Sequence, residues 1–148
     1  MLAVVGLDLH VRAYPGGRPL RDSAHLELLQ RLRTRLGPAV RWRTEVPLPL
    51  HGDQRAWDAL LGVRHVRVGV EAETRARDAQ ELPRRVALKQ RDGGVEYVVL
   101  LLADSRHNRA FLRTCGEGFL AGFPVAGSVA LARLAASADP GGSAIILL

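Results

Sequence analysis

The sequence predicts an α/β fold, a mixed central sheet flanked by helices, and three observations carry that expectation. His65 to Thr74 alternates strictly, with Val66, Val68, Val70 and Ala72 on one side and Arg67, Gly69, Glu71 and Glu73 on the other, which is the period of a strand. Val95 to Ala103 is a continuous apolar run closed in by Asp92-Gly93-Gly94 and Asp104, as fits a strand covered on both faces. Around these two stretches, leucines, valines and alanines recur at helical spacing.

A chain of 148 residues suits one domain and hides roughly 70% of its unfolded surface on folding. With 47% hydrophobic residues, disorder is excluded. The net charge of +6 directs attention to nucleic acid or another anionic surface. Nearly all the basic residues are arginine, however, in a chain rich in Ala, Gly, Val and Leu, a bias that GC-rich coding produces irrespective of function. The single Cys115 allows no internal disulfide, and no Cys/His cluster has zinc spacing. Met1 to Val5 lacks the form of a signal peptide, and no apolar run approaches the roughly 20 residues of a membrane span. The expected compartment is the cytoplasm.

Val4 to Tyr14 alternates and reads as a half-solvated strand closed by Pro15-Gly16-Gly17, with Asp8, His10 and Arg12 on its wet face. Asp22 or Ser23 is expected to cap the first helix, whose buried stripe is Leu26, Leu29, Leu32 and Leu36 and whose end is Gly37-Pro38. Gln30, Arg31, Arg33 and Arg35 lie off that stripe, facing solvent or phosphates. Val40 to Leu48 is a strand in which Pro47 and Pro49 mark an edge or an end. After the turn His51-Gly52-Asp53, Arg55 to Leu61 is a further strand, with Trp57, Ala59 and Leu61 on one side and Ala56, Asp58 and Leu60 on the other, and Gly62 turns the chain into the strand at 65–74.

Arg75 to Arg91 reads as a helix with the stripe Ala79, Leu82 and Val86. Pro83 requires either a kink or a helix that starts near Glu81, since proline fits only the first turn. After the buried strand, Asp104 or Ser105 caps a helix carrying Phe111, Leu112 and Cys115, with Cys115 read as a buried hydrophobe. Phe119, Leu120 and Phe123 form satellite core, Val129 to Ala136 a short helix, and Ala144 to Leu148 a last apolar strand.

Three features suggest chemistry. Glu71 and Glu73 share a strand face one pleat apart, so each resists ionising beside the other unless a positive charge lies between them. Asp58 sits among apolar neighbours and must be paired, hydrogen-bonded or next to a cavity. Lys89 is the only lysine among 21 basic residues and falls seven positions after Leu82, close to the same helix face. An ammonium has a tunable pKa that a guanidinium lacks.

Asp58, Glu71-Ala72-Glu73 and Lys89, together with the order helix, three strands, helix, buried strand, resemble the restriction-endonuclease-like core of the PD-(D/E)xK nucleases. The resemblance covers about Asp22 to Asp104. It implies that Asp58 and Glu71 hold magnesium while Glu73 or Lys89 handles the attacking water. Glu73 stands where the family's lysine is usual, although some members carry glutamate there and others move the lysine to the following helix, where Lys89 stands. Glu45 and Glu27 would be outer ligands.

A second likeness runs over nearly the whole chain. Pro15-Gly16-Gly17, Arg43-Thr44-Glu45-Val46-Pro47, Arg55-Ala56-Trp57-Asp58, Val70-Glu71-Ala72-Glu73-Thr74, Leu88-Lys89-Gln90-Arg91-Asp92-Gly93-Gly94 and Ala103-Asp104-Ser105-Arg106-His107-Asn108-Arg109 resemble the domain that follows a xenobiotic-response-element-type helix-turn-helix in bacterial transcriptional regulators. This implies a role in transcription regulation or defence. The chain itself, residues 1–148, reads as a single restriction-endonuclease-like domain with no helix-turn-helix.

Two functions are therefore expected. One is a nuclease-like domain that is associated with DNA, directly or through a helix-turn-helix partner, and is not strongly catalytic. In it Glu71 and Glu73 pair with arginines such as Arg55, Arg67 or Arg106, Asp58 accepts backbone N–H groups, and the domain dimerises, senses or binds another protein. The alternative is an active magnesium-dependent endonuclease built on Asp58, Glu71, Glu73 and Lys89.

Overall fold

The computed structural model describes the chain from Pro19 to Leu148, with side chains from Ser23 onward. The strand expected at Val4 to Tyr14 and its turn lie outside the described residues. The elements are α1 (Pro19–Arg33), β1 (Arg41–Pro47), β2 (Ala56–Val63), β3 (Val66–Glu73), α2 (Glu81–Asp92), β4 (Tyr97–Leu102), α3 (Arg106–Thr114), α4 (Glu117–Ala121), α5 (Gly127–Ala135) and β5 (Ala144–Leu147). All five strands form one sheet in the order β1-β2-β3-β4-β5. The first three are an antiparallel meander, and β4 and β5 continue parallel to β3. This is a mixed central sheet flanked by helices, as expected.

Alternation along the strands sends side chains into two separate cores. Leu28, Leu29 and Leu32 of α1 and Ala130 and Leu134 of α5 cover the face made by Ala59, Leu61, Val68, Val70, Val99 and Leu101. Leu82 and Val86 of α2 and Phe111 of α3 cover the face made by Val98, Leu100 and Leu102. Having helices on both sides makes β4 aliphatic from Val98 to Leu102, all of it buried, with the partly exposed Tyr97 at its start.

Several expectations change. Helix α1 already includes Asp22 and Ser23, so neither is its cap. Leu26 is 63% exposed and Leu28 takes its place in the stripe. Gly62 is inside β2, paired with Arg67, and the hairpin turns at Arg64 and His65, where Arg64 has φ of 51°. Helix α2 starts at Glu81, which puts Pro83 in its first turn; the chain from Arg75 to Gln80 is a loop. Helix α3 stops at Thr114, leaving Cys115 just beyond it, and the segment around Phe119 is itself a short helix. Cys115 is buried, as expected, and burial pushes its thiol up.

The largest departure is at Trp57, which packs with the α2 core and not beside Ala59 and Leu61. The β1–β2 register pairs Thr44 with Ala59 and Val46 with Trp57 but skips Glu45 and Asp58, and Glu45 has φ of 49°. Pairing of β2 with β3 also stops at Ala59. Alternation breaks at Asp58, and the indole crosses to the other layer. There it lies over Gly69 and Gly93, with Nε1 donating to the Gly93 carbonyl at 3.4 Å.

The two sheet edges differ. β1 ends the sheet with exposed Arg41, Arg43 and Glu45 and with Pro47, which discourages a further strand. β5 is apolar, with one isolated bridge, Val125 to Ala144, on its outer side.

A Cβ at Gly69 would sit 2.6 Å from the Trp57 ring, whereas one at Gly118 in α4 meets nothing within 4 Å. Gly69→Ala is therefore expected to destabilise the protein by about 1–3 kcal/mol in urea denaturation, as overpacking does. Gly118→Ala is expected to leave it unchanged or more stable.

Candidate functional site

The site is built where β2 and β3 separate beneath α2. Glu71 and Glu73 leave β3 on the α2 side, as their spacing requires. Glu71 is 4% exposed, and both of its oxygens are held by cations from α2. Lys89 Nζ donates to Oε2 at 2.6 Å, and Arg85 Nε donates to Oε1 at 3.2 Å. The same Arg85 guanidinium donates through Nη2 to Glu73. The charge required between the two carboxylates is thus an arginine four residues before Lys89, one helical turn away on the same face.

Lys89 is buried and also donates to the Ala56 carbonyl at 2.8 Å, with Nζ 5.9 Å from the centre of the Trp57 ring. Ion pairing at the same C-terminal end of α2 supports this position. Arg55 Nη2 donates to Asp53 at 2.6 Å and to Asp92 at 2.7 Å, tying the start of β2 to the last residue of α2. Hydrogen bonds from Arg91 and then from Arg55 hold the Asp92 carboxyl far below the usual carboxylate range.

Asp58 lies at the break in β2 and occupies it chemically. Its Oδ2 accepts the Ala72 N–H at 2.8 Å, replacing a ladder bond. Its Oδ1 faces His25 Nε2 on α1 at 3.5 Å. The hydrogen bond to Asp58 raises the His25 pKa against the opposing effect of burial, with smaller contributions from the charges of Asp58, Glu73 and Glu71. Burial raises the Glu71 carboxyl above its ordinary range, and the Asp58 charge adds to the rise while Lys89 and Arg85 oppose it.

Glu71, Glu73 and Lys89 thus meet directly or through Arg85, while Asp58 acts on Glu71 through its charge and bonds to other groups. Glu45 and Glu27 are exposed, and Glu27 lines a shallow groove with Gln30, Arg31 and Thr34. The glutamates do pair with an arginine, Arg85, but those named for the role are elsewhere: Arg55 holds Asp53 and Asp92, Arg67 holds Glu96 at 3.3 Å, and Arg106 is exposed at the start of α3. Among the described residues, no group of three His, Cys, Asp or Glu side chains is arranged to hold a metal ion.

Sequence reasoning missed two residues and left a third without a role. Arg85 was accessible from its i,i+4 relation to Lys89, and His25 from its place three and four residues before Leu28 and Leu29. Asn108 gave no such signal. It is fully buried three residues after the Ser105 cap, which accepts its N–H at 3.1 Å, and its side chain bonds to the loop after β3.

The chain matches no known protein family, curated protein or solved structure. Among the described residues, no helix is long and apolar enough to cross a membrane.

Lys89→Met removes one of the two cations on a buried carboxylate. It is expected to cost about 3 kcal/mol in urea denaturation, and the double variant with Glu71→Gln is expected to recover part of that loss. The raised His25 pKa gives a second outcome. Stability from the His25–Asp58 contact is fully present below the unfolded histidine pKa of about 6.5 and is lost as pH rises through the folded value. Asp58→Asn should bring the His25 titration, followed by NMR, back down and flatten that part of the stability profile.

Proposed function

We propose that this chain is a restriction-endonuclease-like domain that works beside DNA without cutting it, as the companion of a helix-turn-helix regulator. The fold reading is supported by the order α1-β1-β2-β3-α2-β4 and by where the acids fall, with Asp58 on β2, Glu71 and Glu73 on β3 and Lys89 on the following helix. The net charge of +6 is compatible with contact with DNA, made directly or through the regulator. One observation carries the non-cleaving reading: every oxygen of Glu71 already faces a cation of the protein itself.

A second reading, a magnesium-dependent endonuclease, is favoured by one specific observation. The Asp58 charge is near enough to raise the Glu71 carboxyl, so acids from adjacent strands and the sole lysine act on one another. In this arrangement the residues do not fit a bound magnesium. Both Glu71 oxygens are engaged and Asp58 Oδ2 accepts a backbone N–H, so no step of a reaction is assigned to the metal.

Duplex DNA titrated into the protein at low salt is expected to bind with an affinity that falls linearly with salt on logarithmic axes. Incubation with magnesium or manganese is expected to leave the DNA intact. Absence of binding at low salt would remove direct contact with DNA and leave only contact through the regulator. Cleavage abolished by Asp58→Ala would establish the endonuclease instead.

A further inference from the structure

The loop from Thr74 to Gln80, between β3 and α2, carries two arginines that have no partner among the described residues. The loop is pinned from below. Ala76 is buried, its N–H donates to Asn108 Oδ1 at 2.9 Å, and its carbonyl meets His107 Nε2. Asn108 Nδ2 donates to the carbonyls of Thr74 at 3.0 Å and Ala103 at 2.8 Å. On either side of Ala76, Arg75 and Arg77 are exposed, and neither has an ion pair or hydrogen bond among the described residues.

Both arginines line a cavity of about 440 Å³, with Arg85 also in its wall. Three acids share that wall, and one of them is already paired with a cation. Glu73 is bound to Arg85, and Asp78 Oδ1 accepts the N–H groups of Gln80 at 2.7 Å and Glu81 at 2.8 Å. Asp78, whose carboxylate keeps its charge, and Glu81 therefore stand against two guanidinium groups that have no partner among the described residues, so what the cavity offers an anion is forked donors and not an excess of positive charge. Two forked donors on one immobilised loop suit an anion with several oxygens, and pinning the loop beforehand lowers the ordering cost of binding it.

We propose that this cavity receives a phosphate group, with Arg75 and Arg77 as its receptor. The proposal deepens the DNA-associated reading and rests on it for what carries the phosphate. A phosphodiester inside a strand and a terminal phosphomonoester present the same chemistry to the two arginines. It also gives the Ser105-Arg106-His107-Asn108 segment a role: His107 and Asn108 hold the receptor loop in place.

The test uses the whole chain as wild type, as the double variant Arg75→Ala/Arg77→Ala, and as a control, Arg43→Ala/Arg113→Ala, which removes two exposed arginines elsewhere. Duplexes with and without a 5′-phosphate are titrated by fluorescence anisotropy at several salt concentrations, and inorganic phosphate by calorimetry. The receptor variant is expected to lose about tenfold or more in DNA affinity and about two units of salt slope, one for each phosphate contact, with a smaller change in the control. A 5′-phosphate that strengthens wild-type binding, with the gain lost in the variant, assigns the cavity to a terminal monoester. A loss that is equal for both duplexes assigns it to an internal diester. DNA binding unchanged in the receptor variant would overturn the cavity proposal and leave the DNA-associated reading intact. If wild type binds no DNA but binds inorganic phosphate that the variant does not, the cavity stands and direct contact with DNA falls. If wild type binds neither probe, both fall.

Discussion

A carboxylate beneath a helix is the constraint on which the rest of this structure depends. Glu71 is out of water, and an uncompensated charge there would be prohibitive. Lys89 and Arg85 compensate it from a single face of α2, which sets both the rotation of the helix and its height over β3. The Arg55 pairs at the C-terminal end of α2 and the stacking of Trp57 on Gly69 and Gly93 agree with that placement. Because the guanidinium also reaches Glu73, two like charges on one strand face become a means of holding the helix in register.

Asp58 plays the corresponding part on the other side of the gap. A strand that kept its ladder would have spent the Ala72 N–H on a backbone carbonyl. Here the carboxylate takes it, the strands part, and the indole next to it changes layer. Its second oxygen turns to α1, so the histidine on that helix responds electrically to acids on three positions of the sheet. The two helical layers are thus linked through the sheet by side-chain charge as well as by packing.

Period-two and helical patterns were legible wherever both neighbours of a residue obeyed them. The alternation at 65–74, the all-apolar run of β4 and the return of Lys89 to the Leu82 face all rested on local geometry alone, and the structure follows each. What could not be read were events that need a distant partner. Trp57 left its expected face because two glycines far away in sequence make room for a ring. Leu26 and Leu28 have the same chemistry, and only the crossing of α1 over the sheet separates them. The glutamates were recognised as a pair in need of a cation, but many arginines were available, and the choice of Arg85 was made by the docking of α2.

The sole lysine of the chain lies indoors, its ammonium spread over a carboxylate, a carbonyl and an aromatic ring. Acylating reagents, formaldehyde-type fixatives and amine-directed cross-linkers therefore meet no side-chain amine on the described exterior of the folded protein. Any ε-amine modification would register an excursion in which α2 has lifted from the sheet, which makes the natural sequence its own reporter of opening.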